Sequence, residues 1–154
     1  MKTALVTGGA KGIGLAISRE LVALGWNVVV TGRDSAAITS AVASLSSGPG
    51  KAVGKVMDVR DRSSIDSVID EIRNEFSSLD SLINCAGVII RDESEVLSET
   101  DWNTVIDTDL SSEKIILSIK GKEELRAETI GKHTTSFMVM NPDLLLCRMD
   151  PATN

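Results

Sequence analysis

The chain has 154 residues, enough for one domain with a substantial core; 42% of them are hydrophobic and 25% charged, while aromatics make up only 3% and tyrosine is absent. A formal net charge of -6 argues against the clustered Lys and Arg that phosphate-backbone binding needs, so no nucleic-acid partner is expected. The two cysteines, Cys85 and Cys147, lack metal-ligand spacing and no apolar run reaches the length of a membrane span, so no metal, no disulfide and no membrane partner is expected, and a soluble, cytoplasmic protein is the simpler reading.

From residue 3 to about residue 84, short β-branched runs alternate with helix-period segments, the pattern of βαβ units around a parallel sheet. Residues 4–7 form the first run. The glycine-rich stretch 8–14 (GGAKGIG) follows, and Ile13, Ile17, Leu21 and Leu24 then space as one helix face, closed by Gly25 where a helix C-terminus favours positive φ. The second run is 28–31, residues 46–50 (SSGPG) read as a loop, and the third run is 52–57. Ile65, Val68, Ile72 and Phe76 repeat the helical spacing before the fourth run at 82–84. Ser98, followed by Asp101, marks a helix start, and that helix is expected to carry Trp102, Val105 and Ile106 inward.

Beyond Leu110 the alternation stops. One further helix within 111–133 and one short strand within 136–140 are expected there, His133 reads as an exposed surface histidine, and Leu144, Leu145 and Leu146, too short for a membrane, read as a packing patch or else as an exposed liability.

The loop at 8–14 leaves a strand and opens a helix. Glycine there permits a tight turn, lets backbone N–H groups approach a phosphate and allows close helix-to-sheet contact, while the helix N-terminus favours an anion. With a strand before it, a helix after it and βαβ units following, the stretch reads as a nucleotide-binding turn.

Four stretches in register then resemble the short-chain dehydrogenase/reductase family. Thr7-Gly8, spaced from Gly12-Ile13-Gly14, resembles its cofactor fingerprint; Asp58-Val59 resembles its adenine contact; Asn84-Cys85-Ala86-Gly87 is similar to its Asn-Asn-Ala-Gly motif; and residues 101–110 resemble the helix that carries an active-site asparagine. The resemblance covers about residues 3–110 and looks nearest to 3-oxoacyl-carrier-protein reductases and sugar-acid dehydrogenases. It implies an α/β, Rossmann-type doubly wound parallel sheet of strand order 3-2-1-4, truncated after the fourth strand. The expected organisation is an NADP-binding part at 1–110 and a divergent tail at 111–154.

In this fold a carboxylate at the end of the second strand binds the ribose of NAD, whereas a nearby arginine accommodates the 2'-phosphate of NADP. Gly32 occupies the carboxylate's place, Arg33 follows and Lys11 adds a second positive charge. NADP(H) is therefore the expected cofactor, with Asp34 left as an alternative ribose ligand. The expected site is Gly8, Lys11, Gly12, Ile13, Gly14, Arg33, Asp58, Val59, Asn84, Ala86 and Gly87.

The family's chemistry implies a tyrosine as proton donor, a lysine four residues later and a serine polarising the carbonyl. This chain offers no tyrosine, and Asp109 stands where the resemblance implies asparagine. Cys85 reads as a small buried hydrophobe. Three functions follow as expectations: a truncated, NADP-binding protein without turnover, arising from a frameshift, a retained intron or a gene-model error; an active reductase with another proton donor; or an interaction partner of a full-length relative.

Overall fold

The computed structural model describes residues 1–76, 78–88, 98–109 and, for its backbone, a strand at 138–140. Four strands, β1 (Thr3–Thr7), β2 (Asn27–Gly32), β3 (Ala52–Val56) and β4 (Ser81–Asn84), pair in parallel in the order β3-β2-β1-β4. Leu5 stands opposite Val29 on one side and Leu82 on the other. This is the sheet expected from the alternation of runs. Beside β4 lies β5 (Met138–Met140), antiparallel, within the stretch expected to hold a short strand.

The central strands read as continuous apolar runs because both faces of a parallel sheet are covered. Leu5, Val29 and Leu82 point to one face and meet Ile65, Val68, Ile69, Ile72 and Phe76 of α3 (Arg62–Glu75) and its C-cap. Ala4, Val6, Val28, Val30 and Ile83 point to the other and meet Val22 of α1 (Gly12–Ala23) and Ala41 and Leu45 of α2 (Ser35–Leu45). Each Leu, Ile or Val so buried contributes about 1.5–3 kcal/mol. Truncating Ile65, which has no exposed surface, should cost about 2–5 kcal/mol.

Side-chain caps begin most of the helices. Asp34 Oδ1 accepts the N–H groups of Ala36 and Ala37 at 3.0 Å to open α2, and Asp61 Oδ1 accepts that of Ser63 at 2.9 Å to open α3. The last described helix is α4 (Glu99–Asp109). Ser98 Oγ accepts the Asp101 N–H at 3.0 Å and donates to Asp101 Oδ2 at 2.6 Å, so the expected start is the observed one.

Two members of the expected α1 stripe lie outside it. Ile13 is 62% exposed and Leu24 73%; the buried positions are Gly14, Ser18 and Val22. The Ser18 hydroxyl donates to the Gly14 carbonyl at 2.8 Å, which lets a polar residue sit fully buried at the helix-sheet contact. Trp102 is also a correction: it is 57% exposed, and Thr108 is the buried residue of α4. Gly25 takes φ +82 after α1, as a helix C-terminus there requires. The helix expected within 111–133, together with His133, Leu144, Leu145, Leu146 and Cys147, falls outside the described residues.

Candidate cofactor-binding site

In the turn from β1 into α1, Gly8 and Gly14 answer to close approaches of backbone to backbone. Gly8 has φ +63, and a Cβ there would come within 2.8 Å of the Cys85 carbonyl oxygen and 2.9 Å of the Ala86 nitrogen. A Cβ on Gly14 would collide with the Gly8 carbonyl. Gly12, at φ +51, faces open space instead, so its glycine answers to backbone conformation alone.

Lys11 is the N-cap of α1, with extended backbone and no side-chain cap bond. The first intrahelical bond runs from the Leu15 N–H to the Lys11 carbonyl at 3.1 Å. The N–H groups of Gly12, Ile13 and Gly14 thus precede the helical ladder, and they sit where the helix dipole is positive.

These residues open on a cleft of about 900 Å³ at the carboxyl ends of β1, β2 and β4. Every residue of the expected site lines it except Asn84. Asn84 stands behind the wall, 8% exposed, and its Nδ2 has no hydrogen-bond partner among the described residues. The cleft also takes in Arg60, Val88 and Thr108, which the motifs did not single out. The signal for Arg60 was its place two residues after Asp58.

At the β2–β3 end, Asp58 and Arg60 form a compact pair. Asp58 Oδ1 accepts from the Arg60 backbone N–H and Nε at 3.0 Å, and Oδ2 accepts from Nη2 at 2.7 Å. These bonds to Arg60, with a smaller contribution from the Arg33 charge, lower the Asp58 pKa to about 2. Asp34, the alternative ribose ligand, is occupied as the α2 cap. Its Oδ2 lies 3.8 Å from Lys11 Nζ, and the Ala37 N–H is the first cause of its lowered pKa. A side chain on Gly32 would meet only Ile38 atoms at 3.9 Å, so sterics alone do not account for the missing carboxylate.

At the β4 end the wall is held by side chains accepting from backbone. Thr7 Oγ1 accepts the Cys85 and Ala86 N–H groups at 3.1 and 3.0 Å, and Asp109 Oδ1 accepts that of Val88 at 3.2 Å. Cys85 is half-buried and packs against the core under α1 and α2, and burial raises its thiol pKa. A thiol held protonated is a poor nucleophile; the residue expected to be a small buried hydrophobe is thus only half-buried, packing on the core and also lining the cleft.

An uncapped helix N-terminus, a glycine cradle and an open cleft fit a dinucleotide's pyrophosphate on geometry and donor chemistry. Among the described residues no cluster of His, Cys, Asp and Glu suits a metal ion, and no helix is long and apolar enough to cross a membrane.

Comparison with known proteins agrees with this geometry. The sequence model of the short chain dehydrogenase family matches residues 2–117, and the chain belongs to that family. The 3-oxoacyl-[acyl-carrier-protein] reductase FabG of Escherichia coli is 35% identical over 135 residues, covering 84% of this chain and 54% of the reductase. An actinorhodin polyketide ketoreductase variant, solved with NADPH, superposes with a TM-score of 0.74 at 26% identity, covering 78% of this chain and 46% of its own. A metagenomic short-chain oxidoreductase in complex with NADP gives 0.71 at 25% identity, over 77% of this chain and 54% of its own. The chain spans about half the length of the curated relatives it matches.

Proposed function

We propose that the cleft binds NADP(H), and that these 154 residues bind it without turning over a substrate. The observation that carries the reading is the start of α1, where Lys11 supplies no side-chain cap and Gly12, Ile13 and Gly14, whose N–H groups precede the helical ladder, line the cleft. The pyrophosphate sits on these donors. Arg33 and Lys11, beside the end of β2, take the 2'-phosphate, Asp58 and Val59 flank the adenine, and Asn84, Ala86 and Gly87 shape the wall toward the nicotinamide. The neighbours solved with NADPH and NADP support the choice of cofactor.

When bound, the nicotinamide supplies a hydride for reducing a carbonyl. Proton donation is a separate requirement, assigned by the family resemblance to a tyrosine, and the chain has none. Asp109 in place of asparagine alters the same half. The binding part is residues 1–110, and residues 111–154 hold no tyrosine to take the family's role as proton donor.

Calorimetric titration with NADP, NAD and 2',5'-ADP tests the assignment. Arg33→Asp should weaken NADP and 2',5'-ADP about ten- to a hundredfold and leave NAD nearly unchanged, because a hydrogen bond to a charged group is worth about 1.5–3 kcal/mol. Equal weakening of NAD and NADP would contradict the placement of the 2'-phosphate.

A further inference from the structure

We propose that Asp109 makes the cleft select the oxidised dinucleotide over the reduced one. The inference rests on the reading of the cleft as an NADP site and adds a preference between the two redox forms. A ligand bound at the switch point between β1 and β4 lies across the carboxyl ends of both. Its adenosine half belongs with Arg33 and Asp58, beside β2 and β3, so its other half extends past β4 over residues 85–88. Asp109 is fixed under that end. Its Oδ1 holds the Val88 N–H at 3.2 Å and stands 3.2 Å from where a Gly87 Cβ would be. Gly87, Val88 and Thr108 line the cleft itself.

The cations that line the cleft all come from the turn into α1 or from the segments after β2 and β3: Lys11, Arg33 and Arg60. Two of them close on other carboxylates, Lys11 on Asp34 and Arg60 on Asp58. The pKa of Arg60 is raised chiefly by its bonds to Asp58 and to a smaller extent by the charge of Asp107, the other acid near the end of α4. Among the described residues, no Lys or Arg forms an ion pair with Asp109. An asparagine would accept the Val88 N–H equally well through its carbonyl oxygen. What the carboxylate adds is a negative charge.

That charge distinguishes the two ligands. The oxidised nicotinamide ring is a pyridinium cation, and adding a hydride with its electron pair at C4 neutralises it, so the forms differ by one unit of charge at the ring. A fixed negative charge at that end attracts the oxidised form and is indifferent to the reduced one.

The test is a set of titrations of wild type and Asp109→Asn with NADP⁺, NADPH and 2',5'-ADP. The preference for NADP⁺ over NADPH should be about tenfold greater in wild type than in the variant, equivalent to a difference of about 30 mV in the potential of the bound two-electron couple. Affinity for 2',5'-ADP, which lacks the nicotinamide half, should be the same in both proteins. An unchanged NADP⁺/NADPH ratio with intact 2',5'-ADP binding overturns the inference and spares the site. Failure of wild type to bind 2',5'-ADP overturns the site, and the inference with it. Should Asp109→Asn lose 2',5'-ADP binding by misfolding, Asp109→Ser gives the same comparison, and loss in both variants shows that Asp109 acts through the fold and overturns the inference.

Discussion

The Thr7 hydroxyl at the end of β1 accepts the Ala86 N–H at 3.0 Å and the Cys85 N–H at 3.1 Å, tying the chain leaving β4 to the strand that feeds the glycine turn. One side chain thereby holds residues 85 and 86 of the cleft wall to the end of β1. Thr7→Val keeps the shape and removes the acceptor, leaving the Ala86 N–H without its bond and Cys85 with only its 3.2 Å bond to the Thr7 carbonyl. An unsatisfied buried donor costs about 1–3 kcal/mol. Urea unfolding should show a loss in that range for Thr7→Val and a smaller one for Thr7→Ser; equal stability of Thr7→Val and wild type would show that the bond is dispensable.

The glycines of the turn should separate by cause. Gly14→Ala drives a Cβ into the Gly8 carbonyl, backbone against backbone, and Gly8→Ala combines φ +63 with contacts under 3 Å to residues 85 and 86. Gly12→Ala meets open space and suffers only its φ of +51, about 1–2 kcal/mol. Thermal unfolding should rank Gly14→Ala and Gly8→Ala well below Gly12→Ala. The reverse order would contradict the packing described for α1 against β1 and β4.

Acid should act through Asp58. Its folded pKa of about 2 lies below the ordinary aspartate value of about 3.9, so the unfolded chain takes up the proton first as pH falls. The stabilisation is present in full above the unfolded pKa and is lost between about pH 5 and pH 2. With both side chains about a third exposed, solvent screening holds it to at most about 1 kcal/mol. Arg60→Gln should flatten that part of the stability-pH curve, measured as urea midpoints at stepped pH. An unaltered acid slope would show that the pair contributes nothing.

Much of this architecture is legible in the residues because a covered parallel sheet demands uninterrupted apolar strands, and the β-branched runs satisfy that demand. The close approaches at Gly8 and Gly14 are likewise implied by a glycine turn that has to pass backbone close to backbone, and the positive φ of Gly25 by its place after α1. Apolar periodicity failed on α1, since the contact with the sheet selects small residues, Gly14 and the self-satisfied Ser18, and turns Ile13 out toward the cleft mouth. Trp102 failed for a related reason: a large apolar side chain near a helix start reads as core, but burial depends on what packs over it, which periodicity does not contain. The pairing of Asp58 with Arg60 joins neighbours in sequence through a local bend, and no periodic signal encodes it.

A cleft that holds the dinucleotide in a chain without tyrosine should bind without turnover. Refolded protein is titrated with 2',5'-ADP by calorimetry, and the same sample is mixed with NADPH and a panel of ketone and 3-oxoacyl substrates while the absorbance of the reduced nicotinamide is followed. General acid catalysis contributes about 10² to 10⁴ in rate, so its loss together with loss of alignment should leave saturable binding and no substrate-dependent oxidation. Steady oxidation that disappears in Gly14→Ala protein would contradict the account and point to a proton donor other than tyrosine.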